Sequence, residues 1–308
     1  VQQRLDLAGN GCVGRPGGVR RRAGGDLRLV RGETQEHFTY SGGRFTRERI
    51  AGGSQSFAGF FLLREQALAK GWRAIAGLRG DRWRDWDGTR RETERDSGTV
   101  LRHDRFPAAR GSALSPQAGF VWNPAAGWRL RANVQRAFRR PTLNELYRPF
   151  RQGANVTEAN PLLRTERATS GEIGAEWNAA LSPTAGTLAF STVGFANDLR
   201  DAVANVTIAR GPGTFPVIGA LPAGGLGRQR LNVARIRVNG VELTAAWRPA
   251  PNLTLDAAVL FNDATVRSAP VARALEGVRP LAPRARWVSP DKLHLTLQFL
   301  GAVEEDRL

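Results

Sequence analysis

The stretch RAFRRPTLNELYRPFRQGANVTEANPLLRTERATSGEIGAEW, residues 136–177, determines how the rest of the chain is interpreted. It holds two compact phrases, R-x-P-T-L-x-E-L-Y and N-P-x-L-x-x-E, joined by a polar segment that contains glycine and asparagine. Such a segment between periodic stretches is typical of a loop. The phrases supply the following residues: Arg139, Pro141, Thr142, Leu143, Glu145, Leu146, Tyr147, Asn160, Pro161, Leu163 and Glu166. We expect them to lie in one long connection between two strands.

Strict alternation of apolar and polar residues precedes this connection. After a turn at residues 123–127, one set of side chains is apolar and the intervening set is polar. A period of two is the signature of a β-strand with one polar face. Charges at every second residue exclude a strand buried on both faces, as in a soluble α/β core. The polar set comprises Arg129, Arg131, Asn133 and Gln135, and the apolar set Trp128, Leu130, Ala132 and Val134.

The same alternation recurs on the other side of the connection and near the C-terminus. Ile173, Ala175 and Trp177 alternate with Glu172, Gly174 and Glu176. Further on, Leu243 alternates with Glu242, and after a turn at residues 249–252 Val259 belongs to another apolar set. No run with helical spacing and caps competes with these strand pairs. The sequence therefore predicts an all-β protein built from antiparallel hairpins.

Connection lengths alternate as well. Tight turns are followed by long, polar, arginine-rich connections, which we expect at 33–53, 84–110, 139–169 and 197–230. Structureless loops of this length count against a compact soluble domain, whereas outer-membrane barrels have short turns on one side and long loops on the other. Trp72, Trp128, Trp177 and Trp247 lie beside the tight turns, where an interfacial aromatic girdle would sit. The acidic groups at 85–87 and 92–94 are expected to be solvated partners of arginines rather than cation ligands.

The two phrases resemble the barrel segment of TonB-dependent outer-membrane receptors. Alternation alone leaves a soluble sandwich open, and the resemblance favours the barrel. It implies a partial antiparallel transmembrane β-barrel with roughly nine or ten strands of a larger barrel, by the usual strand and hairpin signals. It extends over about residues 25–280, with 1–24 unassigned. The signal peptide, TonB box and plug of such receptors are not visible in this sequence.

Residues 281–308 are expected to form a different unit. The segment RWVSPDKLHLTLQFLGAVEEDRL, 286–308, resembles the start of the 2H phosphoesterases, which act on RNA 2′,3′-cyclic phosphates. Its H-x-T phrase is His294-Leu295-Thr296, and that family needs a second such phrase, which does not follow here. One histidine cannot serve as both acid and base. We therefore expect no catalytic residues, with His294 and Thr296 as the candidates if the tail is active.

Composition limits the other possibilities. The formal net charge is +17 over 308 residues, but the arginines that produce it are spread along the chain instead of forming one stripe, so no nucleic-acid partner is expected. No stretch reaches the about 18–20 apolar residues of a spanning helix. Cys12 is the single cysteine, which excludes a disulfide framework and a thiolate metal site. We expect neither a cofactor nor a bound metal.

The receptor resemblance implies transport rather than enzymatic catalysis. It implies a location in the bacterial outer membrane and uptake of a scarce metal chelate, such as a ferric siderophore or cobalamin. The partners would be membrane lipid, the receptor's own plug domain, TonB and the chelate. The residues expected to face the lumen and the plug are Arg129, Arg131, Asn133, Gln135, Glu172, Glu176 and Glu242. The alternative function is a phosphoesterase truncated after its first H-x-T phrase.

Overall fold

The computed structural model describes residues 2–15, 19–182, 185–233, 235–250 and 252–266. These residues form strands almost throughout, with one short helix. The strands are β1 (Gln2–Arg15), β2 (Val19–Ser41), β3 (Arg44–Ala69), β4 (Trp72–Glu94), β5 (Val100–Phe106), β6 (Ala109–Trp122), β7 (Trp128–Arg139), β8 (Phe150–Gln152), β9 (Asn155–Glu158), β10 (Glu166–Ser182), β11 (Gly186–Arg200), β12 (Val203–Arg210), β13 (Gly213–Phe215), β14 (Gly219–Leu221), β15 (Leu226–Asn232), β16 (Ile236–Ala250) and β17 (Leu253–Val266). The helix, α1, is Leu143–Tyr147.

One antiparallel sheet dominates the structure. Its strand order is β1-β2-β3-β4-β6-β7-β10-β11-β16-β17, and β5 pairs with the extended end of β4. Within the described residues β1 pairs only with β2 and β17 only with β16, so the sheet does not close. The predicted fold class, a partial antiparallel barrel of about ten strands, is confirmed. In the described part of the chain, no helix is long and apolar enough to cross a membrane.

Two of the four predicted long loops continue strands of the large sheet instead. β2 and β3 stay paired through 33–53 as far as the two-residue turn Gly42–Gly43, where both φ angles are positive (59° and 79°). Glycine adopts this backbone without strain, and such turns match the twist of a hairpin. β4 likewise continues to Glu94. The prediction was wrong at both places because arginine and glutamate were taken as loop signals, whereas here they alternate along paired strands and form ion pairs.

The two faces of the large sheet differ in chemistry. Register places a set of exposed apolar side chains on one face: Phe60, Leu62, Leu78, Leu114, Val134, Ile173, Val241, Val259 and Phe261. We call this the apolar face. The opposite, polar face carries Arg79, which bonds Asp26 and Asp81 at 2.6 Å each. In the same register Leu130 and Leu243 lie on the apolar face, whereas Arg131 and Glu242 lie on the polar face.

Apolar burial is concentrated outside the large sheet. One cluster joins Leu143, Leu146, Tyr147 and Leu163, and two others lie among the short strands β9, β12, β14 and β15 and the first residue of β16. A single-layer sheet has no second layer to bury its apolar face against. The connections therefore supply the packed core. The large sheet, which we call the wall, is stabilised mainly by the backbone hydrogen bonds between its strands.

We predict that the 308-residue chain, expressed without further strands, does not form a monomeric barrel. The outer edges of β1 and β17 would present unpaired backbone groups that neither lipid nor an apolar interior can satisfy. The measurement is the gel mobility of the detergent-extracted chain with and without boiling. A monodisperse species whose mobility changes on heating would contradict this expectation.

Candidate functional site

The first motif phrase is locked by a capping box at the start of α1. Thr142 Oγ1 accepts from the Glu145 backbone N–H at 3.3 Å, and the Glu145 carboxylate accepts from the Thr142 backbone N–H at 2.7 Å. Arg139 then bonds Glu145 at 2.9 Å and also pairs with Glu166. Burial alone would raise the pKa of Glu145, but the bonds from Arg139 and Thr142 outweigh it and lower that pKa.

A buried ion pair fastens this phrase to the sheet. Arg140 donates to Asp85 Oδ2 through Nε at 2.8 Å and through Nη2 at 2.6 Å, and Asp85 has no exposed surface. Gln55 donates to Asp85 at 3.0 Å and to the Pro141 carbonyl at 2.9 Å. Arg140 also lies over the Trp83 ring at 4.2 Å and donates to the Leu163 carbonyl at 2.6 Å. One guanidinium thus connects the wall with both motif phrases.

Tyr147 occupies a slot formed by two glycines of the wall. A Cβ atom on Gly53 would lie 2.8 Å from the Tyr147 ring, and one on Gly88 would lie 2.6 Å from it. Phe106 of β5 stacks on the other side, with ring centroids 5.3 Å apart. Burial, reinforced by the charge of Asp85, raises the pKa of Tyr147 to about 12. The phenol therefore stays neutral and acts as a packing group.

The second phrase returns to the helix. The Asn160 backbone N–H donates to the Glu145 carbonyl at 3.1 Å, and the Asn160 side chain donates to the Arg230 carbonyl at 2.9 Å. Its Oδ1 accepts from the Leu162 N–H at 3.0 Å, just after Pro161, which turns the chain. Glu166 begins β10 and accepts from the Val203 N–H at 2.7 Å. The motif residues are brought together as one structural clamp.

Two acidic groups that were expected in solvent are buried. Glu92 accepts from Arg49 at 2.8 Å and from Arg90 at 2.6 Å, and Arg90 also bonds Glu158 at 2.7 Å. All four side chains are nearly inaccessible. Asp85, described above, is the second exception. The predicted pairing with arginine is present, but the solvation was wrong because the motif connection covers this part of the sheet.

The predicted plug-facing residues form a looser group on the polar face. Arg129 lies 3.6 Å from Glu176, Arg131 lies 3.5 Å from Glu176 and 3.9 Å from Glu172, and Asn133 donates to Glu172 at 3.1 Å. The Nε of Arg131 is buried without a hydrogen-bond partner. Gln135 lies across from Ser170 on the same face, and Glu242 lies two strands away on β16, opposite Val193. The structure thus brings five of these residues into contact and leaves Gln135 and Glu242 apart from them.

No metal-binding constellation occurs in the described residues. They contain no group of three His, Cys, Asp or Glu side chains that could hold a metal ion. His294 and Thr296 lie outside the described residues.

Sequence reasoning missed Arg140, Gln55 and the two glycines of the tyrosine slot. Arg140 is the unspecified position of the first phrase, and its partner lies 55 residues earlier, so no local pattern could reveal the pair.

Comparison with protein families decides the identity. The family model described as "TonB dependent receptor-like, beta-barrel" matches residues 1–301. The chain belongs to the TonB-dependent receptor family. Proteins of this family are outer-membrane transporters of Gram-negative bacteria and not enzymes. A comparison with curated protein sequences gives no significant match. None of the comparisons supports a phosphoesterase.

Solved structures share the fold. The apoprotein form of the FrpB iron transporter from Neisseria meningitidis is 19% identical, with a TM-score of 0.54 over 85% of this chain and 36% of that one. The ferric yersiniabactin uptake receptor FyuA from Yersinia pestis is 14% identical, with a TM-score of 0.57 over 86% and 35%. The copper transporter OprC is 18% identical, with a TM-score of 0.57 over 86% and 38%. This chain therefore spans little more than a third of the length of these TonB-dependent receptors.

We predict that Asp85→Ala destabilises the receptor by about 3–5 kcal/mol, because Arg140 would remain buried with its charge unpaired. The matched control is Asp96→Ala, which removes the partner of Arg44 from an exposed pair and should cost at most about 1 kcal/mol. Urea unfolding of the receptor in lipid vesicles would measure both values. Equal losses of unfolding free energy in the two variants would show that the buried pair contributes no more stability than the exposed pair.

We also predict that Gly88→Ala costs about 1–3 kcal/mol through overpacking against Tyr147. Gly80→Ala, in the same strand and with open space around the new methyl group, should stay within about 0.5 kcal/mol. The same unfolding measurement applies. Combining Gly88→Ala with Tyr147→Leu should recover part of the lost stability, because the smaller side chain leaves room for the new methyl group. Strict additivity of the two changes in unfolding free energy would contradict a direct contact between positions 88 and 147.

Proposed function

We propose that this chain forms part of the barrel wall of a receptor that imports a metal chelate, such as a ferric siderophore or cobalamin. The observation that carries the proposal is the division of one continuous sheet into an apolar face without a covering layer and a polar face that bears the motif clamp. Outer-membrane barrels have lipid on the apolar side and a polar interior. On this basis the polar face lines the lumen.

The loose ion-pair group is the proposed contact with the plug. Its arginine–glutamate distances of 3.5–3.9 Å are longer than the 2.6–2.8 Å of the buried pairs at Asp85 and Glu92, and its side chains are 29–58% exposed. Exposed pairs contribute little stability and exchange partners at little cost. Arg129, Arg131, Glu172 and Glu176 are thus suited to bind a domain that must rearrange during transport, together with Asn133, Gln135 and Glu242.

Transport requires no bond to be made or broken in this chain. The connections bind the chelate on the outer side, and energy relayed through TonB rearranges the plug so that the chelate passes. The clamp keeps the wall beneath these connections rigid, since its charges are buried and paired. Support for a metal-containing ligand comes from the fold shared with proteins named as iron, ferric yersiniabactin and copper transporters.

Deletion of the gene followed by complementation tests this function. The strain lacking the receptor should fail to take up one radiolabelled metal chelate, and the intact gene should restore uptake only when TonB is present. Ferric siderophores and cobalamin are the first ligands to test, with haem and copper as the alternatives. Normal uptake of every one of these ligands in the deletion strain would refute the proposal.

The orientation of the sheet gives a prediction of its own. Val134→Arg, on the apolar face, should destabilise the membrane-inserted receptor by about 2–4 kcal/mol if it lies near the bilayer midplane, and Gln135→Arg should cost much less. The measurement is the free energy of unfolding in vesicles. A larger loss for Gln135→Arg would mean that the polar face, rather than the apolar face, meets the lipid.

A further inference from the structure

The apolar face ends in a group of arginines. Register places Arg136 of β7 beside Thr169, and Arg167 of β10 beside Arg200 of β11. Register places Arg237 of β16 beside Asp198, and the carboxylate of Asp198 accepts from Arg235 at 2.5 Å. By strand alternation Arg136, Arg167, Arg200 and Arg237 lie on the face that carries Val134, Ile173 and Val241. We call Arg136, Arg167, Arg200, Arg235 and Arg237 the outer arginine group.

Positive charge in the outer arginine group exceeds what its neighbours neutralise. Asp198 pairs with Arg235 and lies 3.5 Å from Arg200. Asp263, on the same face of β17, forms no ion pair with a described residue, and neither do Arg136, Arg167 and Arg237. Unpaired guanidinium groups on a surface otherwise suited to lipid are costly unless an anion or water meets them.

The height of the group matches the border of a membrane. Trp128 and Trp177, with ring centroids 6.2 Å apart, mark the opposite end of the same face. The strand from Trp177 to Arg167 rises about 33 Å at about 3.3 Å per residue. With a strand tilt of about 40°, this spans about 25 Å across the membrane, the height of the apolar band of an outer-membrane barrel. In the orientation proposed above, the arginines would lie at headgroup level.

A groove runs down the apolar face directly below the arginines. Gly171 and Gly194 form its floor, and Ile173, Val241 and Phe261 form its exposed walls, around a volume of about 750 Å³. The space above Gly194 is open, since a Cβ there would come no closer than 3.7 Å to Ile173. The groove is almost wholly apolar, with Asn239 and Asp263 at its upper end, next to Arg237.

We propose that the groove and the outer arginine group together bind one acylated lipid with a phosphate-bearing headgroup. The acyl chain would lie along Gly171 and Gly194, and the phosphate would meet the guanidinium groups of Arg136, Arg167 and Arg237. Arginine pairs with phosphate through two parallel hydrogen bonds, which suits a headgroup held at a fixed height. This inference rests on the orientation proposed above, in which the apolar face meets the membrane.

The test uses the receptor in phosphatidylcholine nanodiscs that contain either bisphosphorylated lipid A or the same lipid after enzymatic removal of its phosphates. Native mass spectrometry counts which lipid stays bound. The receptor should prefer the phosphorylated form. Arg167→Gln with Arg237→Gln should lower that preference about thirtyfold, at about 1 kcal/mol per arginine near an anionic lipid surface.

The matched control is Arg151→Gln with Arg210→Gln, which removes the same charge from β8 and β12, two strands that lie outside the large sheet. It should leave the preference intact. An unchanged preference in the Arg167/Arg237 variant, or an equal loss in both variants, would overturn the inference. Displacement of the bound lipid by inorganic phosphate would also overturn it, because the site would then hold a soluble anion.

A second pair of variants tests the groove. Gly194→Phe should weaken binding of both lipids while keeping the preference for phosphate, whereas Gly80→Phe, on the same face but outside the groove, should change neither. Equal binding by the two variants would overturn the acyl-chain half of the inference.

Failure of the orientation can be told apart from failure of this inference. A thiol probe confined to the lipid phase should modify Ile173→Cys and spare Glu172→Cys. Modification of Glu172→Cys alone would refute the orientation itself. Modification of Ile173→Cys, combined with an unaffected lipid preference in the arginine variant, would refute the lipid site alone.

Discussion

The ion pair between Arg140 and Asp85 is the contact on which the arrangement of the motif depends. Asp85 lies on a strand of the wall with no access to water, so its charge is tolerable only with a partner held in place. Arg140 supplies that partner and also donates to the Leu163 carbonyl, while Gln55, which bonds the same carboxylate, donates to the Pro141 carbonyl. The short helix, the tyrosine slot and the return of the chain at Glu166 follow from this attachment.

Two kinds of charged contact serve different ends on the polar face. Near the motif, Arg49, Arg90, Glu92 and Glu158 are buried and closely paired, which fixes the connection against the wall. On the same face, towards the end that carries Trp128 and Trp177, Arg131, Glu172 and Glu176 are partly exposed, and Arg131 lies 3.5–3.9 Å from the two carboxylates. The same residue types thus build a rigid clamp in one place and an exchangeable surface in another, because burial sets how strongly each charge needs its partner.

Alternation predicted the antiparallel sheet and the separation of Val134 from Gln135, since strand geometry is a local property. Alternation could not show where the strands end. The outer parts of β3 and β4 are rich in arginine and glutamate, a composition that is also typical of loops, although these residues lie in paired strands. The motif phrases contain many of the clamp residues, although the sequence did not predict that they would contact one another. Their partners Gln55, Gly53 and Gly88 were not predictable, because they lie far away in sequence and carry no pattern of their own.

The clamp also separates the chain into early and late steps of folding. The tight hairpins, such as β2–β3 and β3–β4, join strands that are neighbours in sequence, and closing their short loops costs little entropy. The contacts of the motif connect residues that are 55, 86 and 112 positions apart, as in Arg140–Asp85, Gln55–Pro141 and Arg148–Glu36. Contacts of such high sequence separation form slowly. The slot for Tyr147 exists only where β3 and β4 are paired, because Gly53 and Gly88 lie on different strands. We therefore expect docking of the motif to report that this part of the sheet has been assembled in the correct register.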